Sequence, residues 1–300
     1  MKKKILALLG VLFVTLACIL SSPAAPAQPG VGTIVAATMQ ALTPSSNAVV
    51  PTQVTPAEPL PAQATQPSGI AISFENISVT IPNGLASGAA GEKVPAVSPD
   101  TGAPWDIGPA YIKFTLSAYT LQGTMWHPEI RIYPAEEFRQ MEPSVGDLIN
   151  ELKSITSNPS GSLPQYLPFL PSVNAGQVFY AQMKMVNFKN GSGIRYVTQF
   201  DQAPIPINNQ EMFYTFQGLS QDGKYYVAVT LPVNTAFLPT DGSQNSPTPA
   251  GGVPMDWNKF ENFPIYLNNV KQKISSTDPN SFNPILSTLD ALIQSIDIKQ

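Results

Sequence analysis

The ten residues 224–233, KYYVAVTLPV, decide the fold. Tyr225, Val227, Val229, Leu231 and Val233 fall on one side of an extended chain, and β-branched and aromatic residues dominate the run. A period of two with that composition predicts a strand. Just upstream stands Asp222-Gly223, a dipeptide that supplies the positive φ of a tight hairpin turn. A further strand-like run, 211–218, precedes it. Further back, Asn190-Gly191 separates two more such runs, 177–188 and 194–200. Four strands joined in this way predict an antiparallel meander.

Towards the N-terminus the same period recurs. In YIKFTLSAY, Ile112, Phe114 and Leu116 alternate with Lys113, Thr115 and Ser117, a half-buried strand. HPEIRIYP turns Ile130 and Ile132 inward. Ile70, Ile72 and Phe74 alternate in one parity and Ile77, Val79 and Ile81 in the other, which places a turn or bulge near Glu75-Asn76. Residues 84–109, rich in Gly, Pro and Ala, read as a loop. Elsewhere the period is helical. Val145, Leu148, Ile149, Leu152 and Ile155 follow Pro143-Ser144, with Ser144 and Asp147 set as a capping-box start. A proline-rich loop, 158–174, ends that helix. Beyond a second loop, 234–255, Phe263, Leu267, Val270 and Ile274 mark one helix. Ile285, Leu286, Leu289, Leu292, Ile293 and Ile296 mark another, with Asn283 as its cap and Pro284 in its first turn. The expected fold is α+β: an antiparallel sheet, built from the meander of four strands plus the N-terminal strands, flanked by helices.

The segments ISVTIP, EIRIYP, SVGDLINELKSI, QVFYAQMKMVNF, GIRYVTQF, DGKYYVAV and LSTLDALIQSIDI stand in an order that resembles the PsbP-like extrinsic photosystem proteins. The resemblance spans most of 70–298 and implies an α/β/α sandwich of PsbP-like type. Members of that family are mostly non-catalytic binding or assembly factors, so it implies a role of that kind and lends no functional residue. The loops at 84–109 and 234–255 and the second C-terminal helix depart from the family's pattern.

The first residues, MKKKILALLGVLFVTLAC, carry an address. Lys2, Lys3 and Lys4 precede an uncharged apolar run, Ile5 to Ala17, of the length of a signal-peptide core and too short to span a bilayer. Its end, Val14-Thr15-Leu16-Ala17-Cys18, resembles the bacterial lipobox. That resemblance implies cleavage before Cys18 and a diacylglyceryl thioether on its sulfur, so that membrane lipid is the first partner; several acyl chains hold firmly where one holds marginally. Ala25-Pro26-Ala27 offers ordinary signal peptidase an alternative site and a secreted product, and an uncleaved anchor is a further alternative. Cys18 is the only cysteine, so the body carries no disulfide into an oxidising compartment. Residues 19–68 are rich in Pro, Ala, Thr, Ser and Gln, with no aromatic residue and Glu58 as the single charge. Such a segment cannot offset its ordering entropy and reads as a disordered tether. Three regions follow: a lipoprotein signal peptide over 1–18, the tether over 19–68 and one globular α+β domain over 69–300. The last holds 13 basic and 19 acidic side chains, a formal charge of −6, scattered along the chain. No basic face is present for nucleic acid.

Chemistry-bearing residues are sparse. His127, the only histidine, would need a nucleophile and an orienting carboxylate, and neither a G-x-S-x-G elbow nor an S-x-x-K motif is present. It reads as a surface residue at a strand end. One histidine, and a cysteine confined to the leader, leave no histidine- or thiolate-based metal site. Glu136, Glu137 and Glu142 resemble a glycosidase pair only superficially, since adjacent glutamates on a helix point apart; they read as a solvated helix start. DGSQNS, 241–246, has oxygen ligands at alternate positions but lacks the glycine a calcium loop needs at its sixth, and Gly252 stands where the bidentate glutamate belongs. It reads as a surface loop, and NGSG, 190–193, as a hairpin turn. Trp105, Trp126 and Trp257, with Tyr214 and Tyr226 on the outer side of the meander, make a candidate sugar- or peptide-binding face; the alternative is packing under helices. No catalytic residue, cofactor or metal is assigned. The expected function is a membrane-anchored extracytoplasmic lipoprotein with a non-catalytic binding or assembly domain for an envelope protein or peptide. The alternatives are an extracellular hydrolase with a dispersed active site and a structural envelope protein.

Overall fold

The structure is a computed structural model that describes residues 68–299. The expectations for the signal segment, Cys18 and nearly all of the tether lie outside the described residues. At the start of the body, alternation yields the hairpin it predicts. β1 (Gly69–Phe74) and β2 (Ile77–Pro82) pair antiparallel with Phe74 opposite Ile77. Glu75-Asn76 is therefore a two-residue turn, and Glu75 takes φ 49°, a left-handed value that such turns require. The chain continues through β3 (Gly88–Val94), β4 (Tyr111–Ser117), β5 (Glu129–Pro134), α1 (Ala135–Met141) and α2 (Pro143–Ser157). Then come β6 (Gly176–Phe188), β7 (Gly191–Asp201), β8 (Phe213–Ser220), β9 (Tyr225–Pro232), α3 (Phe263–Ser276), α4 (Leu286–Ser295) and β10 (Asp297–Ile298). Seven strands make one antiparallel sheet, ordered β3-β4-β5-β9-β8-β7-β6, and β1-β2-β10 make a second. The protein is α+β, with helices on both faces of the large sheet.

The two parities of the central strands serve two cores. On β9, Val227, Val229 and Leu231 face a core shared with β2, α3 and α4, while Tyr226 and Ala228 face α1 and α2. The apolar stripe of α4 (Leu286, Leu289, Leu292, Ile293) is fully buried in the first core. Val145, Ile149, Leu152 and Ile155 of α2 are buried in the second. A buried ion pair, Asp290 with Arg195, lies beside the first core. Asp290 of α4, 6 % exposed, receives Arg195 Nε at 3.1 Å, Tyr214 Oη at 3.0 Å and Lys184 Nζ at 3.2 Å. Arg195 also donates to the carbonyl of Gln182, where β6 shifts register and Gln182 adopts φ 56°. That bulge turns the Gln182 side chain to the end of α3, where its amide meets the carbonyls of Ile274 and Thr277, each at 2.8 Å.

Several local expectations are corrected. The stretch 84–109 contains β3, which composition hides: GAAGEKV shows no apolar alternation because it is a half-exposed edge. A Cβ at Gly91 would stand 2.5 Å from that of Phe74, so the close approach of β1 demands the small residue. The β6–β7 turn is Lys189-Asn190, with Gly191 already in β7 opposite Phe188. Gly191 lacks a positive φ and is needed because a Cβ would collide with the Phe188 ring and the Leu219 carbonyl. Asp222-Gly223 behaves as expected, with Gly223 at φ 72°. Helix α2 begins two residues earlier than a cap at Ser144 implies. Pro143, fixed in φ and lacking an N–H, occupies its first position, and the Glu142 carboxylate accepts from Ser144 N and Oγ. Asn283 does not cap α4; it bridges Asn234 through reciprocal backbone hydrogen bonds, and Ile285, an exposed residue rather than a core one, precedes the helix. Tyr214 and Tyr226 are not on an outer side: both are fully buried, because helices or loop cover each face of the meander.

Candidate binding groove

Residues 158–166 form the expected loop and are mostly exposed, but 167–173 turn back onto the protein. They form a strap across the sheet face that α2 leaves uncovered. Leu167, Phe169 and Leu170 are buried beneath it. A buried extended chain needs partners for its backbone groups, and here sheet side chains provide them. Gln177 Oε1 accepts from Leu167 N at 2.7 Å. Gln217 Oε1 accepts from Leu170 N at 2.9 Å and from Tyr226 Oη at 2.8 Å, while its Nε2 donates to Leu170 O at 3.1 Å. Tyr196 Oη donates to Pro168 O at 2.7 Å and Tyr180 Oη to Pro164 O at 3.0 Å. Tyr196 and Gln217 are wholly buried, so these bonds are shielded from water.

Strap and helix do not meet along their full length. Between them runs a groove of about 770 Å³. One wall is α2, with Asp147, Leu148 and Glu151; the other is the strap, with Tyr166, Leu167 and Val173. Phe169, Gln177 and Phe200 line it more deeply. Phe169 and Phe200 meet at 4.5 Å between ring centroids, tilted by 36°, and join Phe213 and Trp126, the last pair at 4.4 Å, so the floor is a packed aromatic cluster. Asp147 and Glu151 lie one helical turn apart on one face. Neither carboxylate has a cation partner or a side-chain hydrogen bond among the described residues, and partial burial pushes the Glu151 carboxyl above its ordinary pKa.

On the other side of Pro171–Val173 lies a second hollow of about 540 Å³, where Trp105, Trp126 and Arg131 come together. Arg131 Nε and Nη2 hold Glu129 Oε2 at 2.9 and 2.7 Å, and its guanidinium stands 5.8 Å from the Tyr111 ring centroid. Two of the three tryptophans of the expected aromatic face therefore share a site. Trp257 lies apart, edge-on to Phe260 at 6.3 Å.

The remaining candidates are separate. His127 is exposed just before β5 and makes no side-chain hydrogen bond among the described residues. Glu136 is tied to Arg139 and Gln140 on α1, and Glu142 caps α2. In 241–246, the Asp241 carboxylate accepts from Ser243 N at 2.9 Å and closes a local turn. No group of three or more His, Cys, Asp or Glu able to hold a metal occurs among the described residues. Also among them, no helix is long and apolar enough to cross a membrane. One acidic group escapes sequence reading altogether. Glu211, 9 % exposed, is pushed up to about 7 by burial together with the neighbouring carboxylates of Asp201 and Asp241.

No family model, curated protein or solved structure matches the chain. The site thus rests on its own geometry. Its walls come from residues 147–151, 166–177 and 200, which no single motif links. The one available signal was QYLPFLPS, 165–172: a proline-rich loop carrying Tyr, Phe and Leu side chains has apolar surface to bury.

Proposed function

We propose that this chain is an extracytoplasmic lipoprotein, anchored through acylated Cys18, whose folded body binds a partner in the groove between α2 and the strap and catalyses no reaction. The groove is the observation that carries the reading: an open, mainly apolar trough on an aromatic floor, whose polar side chains are two carboxylates, the Gln177 amide and the Tyr166 and Ser172 hydroxyls, with no histidine or lysine beside them among the described residues. The order of elements supports it as well, since PsbP-like proteins are mostly binding or assembly factors. The lipobox-like leader supports the location.

Two measurements test the two halves. With a labelled fatty acid, the wild type takes up label and Cys18→Ala does not; equal labelling removes the anchor. For binding, Gly176→Trp fills the groove. Gly176 lines it, is exposed, and a Cβ there meets nothing closer than the Asp201 carbonyl at 3.9 Å. Capture from native envelope extracts with wild type and Gly176→Trp should differ by the loss of specific partners. Identical captured sets refute the groove as the binding site.

A further inference from the structure

The groove also indicates the chemistry of its occupant. Resting on the reading of this groove as a binding site, we propose that it takes a basic amphipathic peptide segment of a partner protein. Apolar side chains of that segment lie on Leu148, Leu167, Val173 and Phe200, and a lysine or arginine reaches between Asp147 and Glu151.

Charge complementarity is the first support. The lining includes two carboxylates and no lysine, arginine or histidine. Asp147 and Glu151 repel each other from adjacent turns of α2, a small standing cost that a cation between them removes. A bound anion would increase that repulsion. Both carboxylates are exposed, but desolvation beside the apolar wall, enough to raise the Glu151 carboxyl, adds to the attraction a cation feels at that residue.

Shape is the second support. The groove does not end at Glu151. A smaller hollow of about 250 Å³ adjoins it, shares Glu151, and continues past Ile155 to Leu163 and Pro164. Leu163 is 36 % exposed and Tyr166 55 % exposed, so apolar surface lines the trough where it opens to solvent. A compact amine would fill one end and leave the rest wet. An extended or helical segment with alternating apolar and basic side chains occupies the whole length, as amphipathic peptides occupy hydrophobic grooves elsewhere.

The test uses the full-length protein and a short fluorescein-labelled peptide of leucine and lysine, followed by anisotropy. Three comparison ligands accompany it: the same peptide with glutamate for lysine, the same with serine for leucine, and octylamine as competitor. Binding of the leucine–lysine peptide is expected to weaken about tenfold in Asp147→Asn/Glu151→Gln, and the glutamate and serine peptides to bind at least about tenfold more weakly to the wild type. Asp256→Asn/Glu261→Gln, which removes two acids from another part of the surface, should leave binding unchanged. The proposal is overturned if the groove variant binds like the wild type, if both acid-pair variants lose affinity alike, or if the glutamate peptide binds as well. Competition by octylamine at concentrations like those of the peptide overturns the peptide in favour of a small amine. Failure here removes only the ligand class; the groove as a binding site stands or falls on Gly176→Trp.

Discussion

The two faces of the seven-stranded sheet are covered by different means. On one, α3 and α4 lay aliphatic stripes directly on the strands, and Leu289, Leu292 and Ile293 are left with no exposed surface. On the other, α2 covers part of the sheet and the strap covers the rest, held at points by Gln177, Gln217, Tyr180 and Tyr196. Apolar contact has no direction and closes every gap it can. Hydrogen bonds fix a chain only where donors meet acceptors, and the space between the points stays open. The groove lies on the face secured by points. The polar group on the sealed face, Asp290, shows the converse: surrounded by apolar packing, it is met by Arg195, Tyr214 and Lys184.

The contrast can be broken most severely at Asp290. Asp290→Ala leaves the Arg195 guanidinium buried without its carboxylate, and a loss of about 3–5 kcal/mol is expected in denaturant unfolding. A loss below about 1 kcal/mol would mean that water or another acceptor replaces the carboxylate, and the sealed face would not be sealed. On the opposite face, Gln217→Leu removes the acceptor for Leu170 N and Tyr226 Oη. It should cost about 1–3 kcal/mol and speed hydrogen exchange at the Leu170 amide while amides of β2 and α4 keep their protection. Uniform acceleration across both faces would deny that the strap is a separate layer.

Next in size comes a pH effect. The folded-state pKa of Glu211 lies above its ordinary value of 4.5, at about 7. The folded protein therefore holds this proton more tightly than the unfolded chain. The stabilisation is complete below about pH 4.5 and is lost as pH rises through about 7. Denaturation midpoints compared at either end of that window should fall for the wild type and stay level, with respect to this group, in Glu211→Gln. The smallest effect is expected at the groove itself: Asp147→Asn/Glu151→Gln should shift stability by no more than about 0.5 kcal/mol, in the stabilising direction. A larger loss would show these carboxylates to be structural, and would weaken their assignment to a ligand.

The same contrast explains what was legible in the sequence. The sealed face was largely readable, because alternation in 77–81, 111–117 and 224–233 and the stripe in 286–293 state their burial directly, while the same alternation in 70–74 marks an exposed edge strand. The exception, β3, packs small residues against Phe74, and small residues carry no hydrophobic period. The point-held face was readable only in its helix. Gln177, Gln217, Tyr180 and Tyr196 sit within strands where nothing in the sequence reveals that their polar ends reach a strap up to 47 residues away. Asp147 and Glu151 look like any solvated pair on a helix until Phe200 and Val173 are placed opposite them. Glu211 is perturbed by Asp201 and Asp241, which the folding of two loops brings to it.

The hairpin at the start of the body has a mechanical consequence. β1 pairs with β2 from Gly69 opposite Pro82 to Phe74 opposite Ile77, and it is the more exposed of the two. β2 is held independently by β10 and by Ser295 Oγ, which bonds both the amide and the carbonyl of Thr80. Tension applied at Gly69 thus meets rungs that break one after another, unzipping six residues of edge strand while the rest of the body stays intact. Under load at Gly69 the first strand would yield before the rest of the body, as a fuse does.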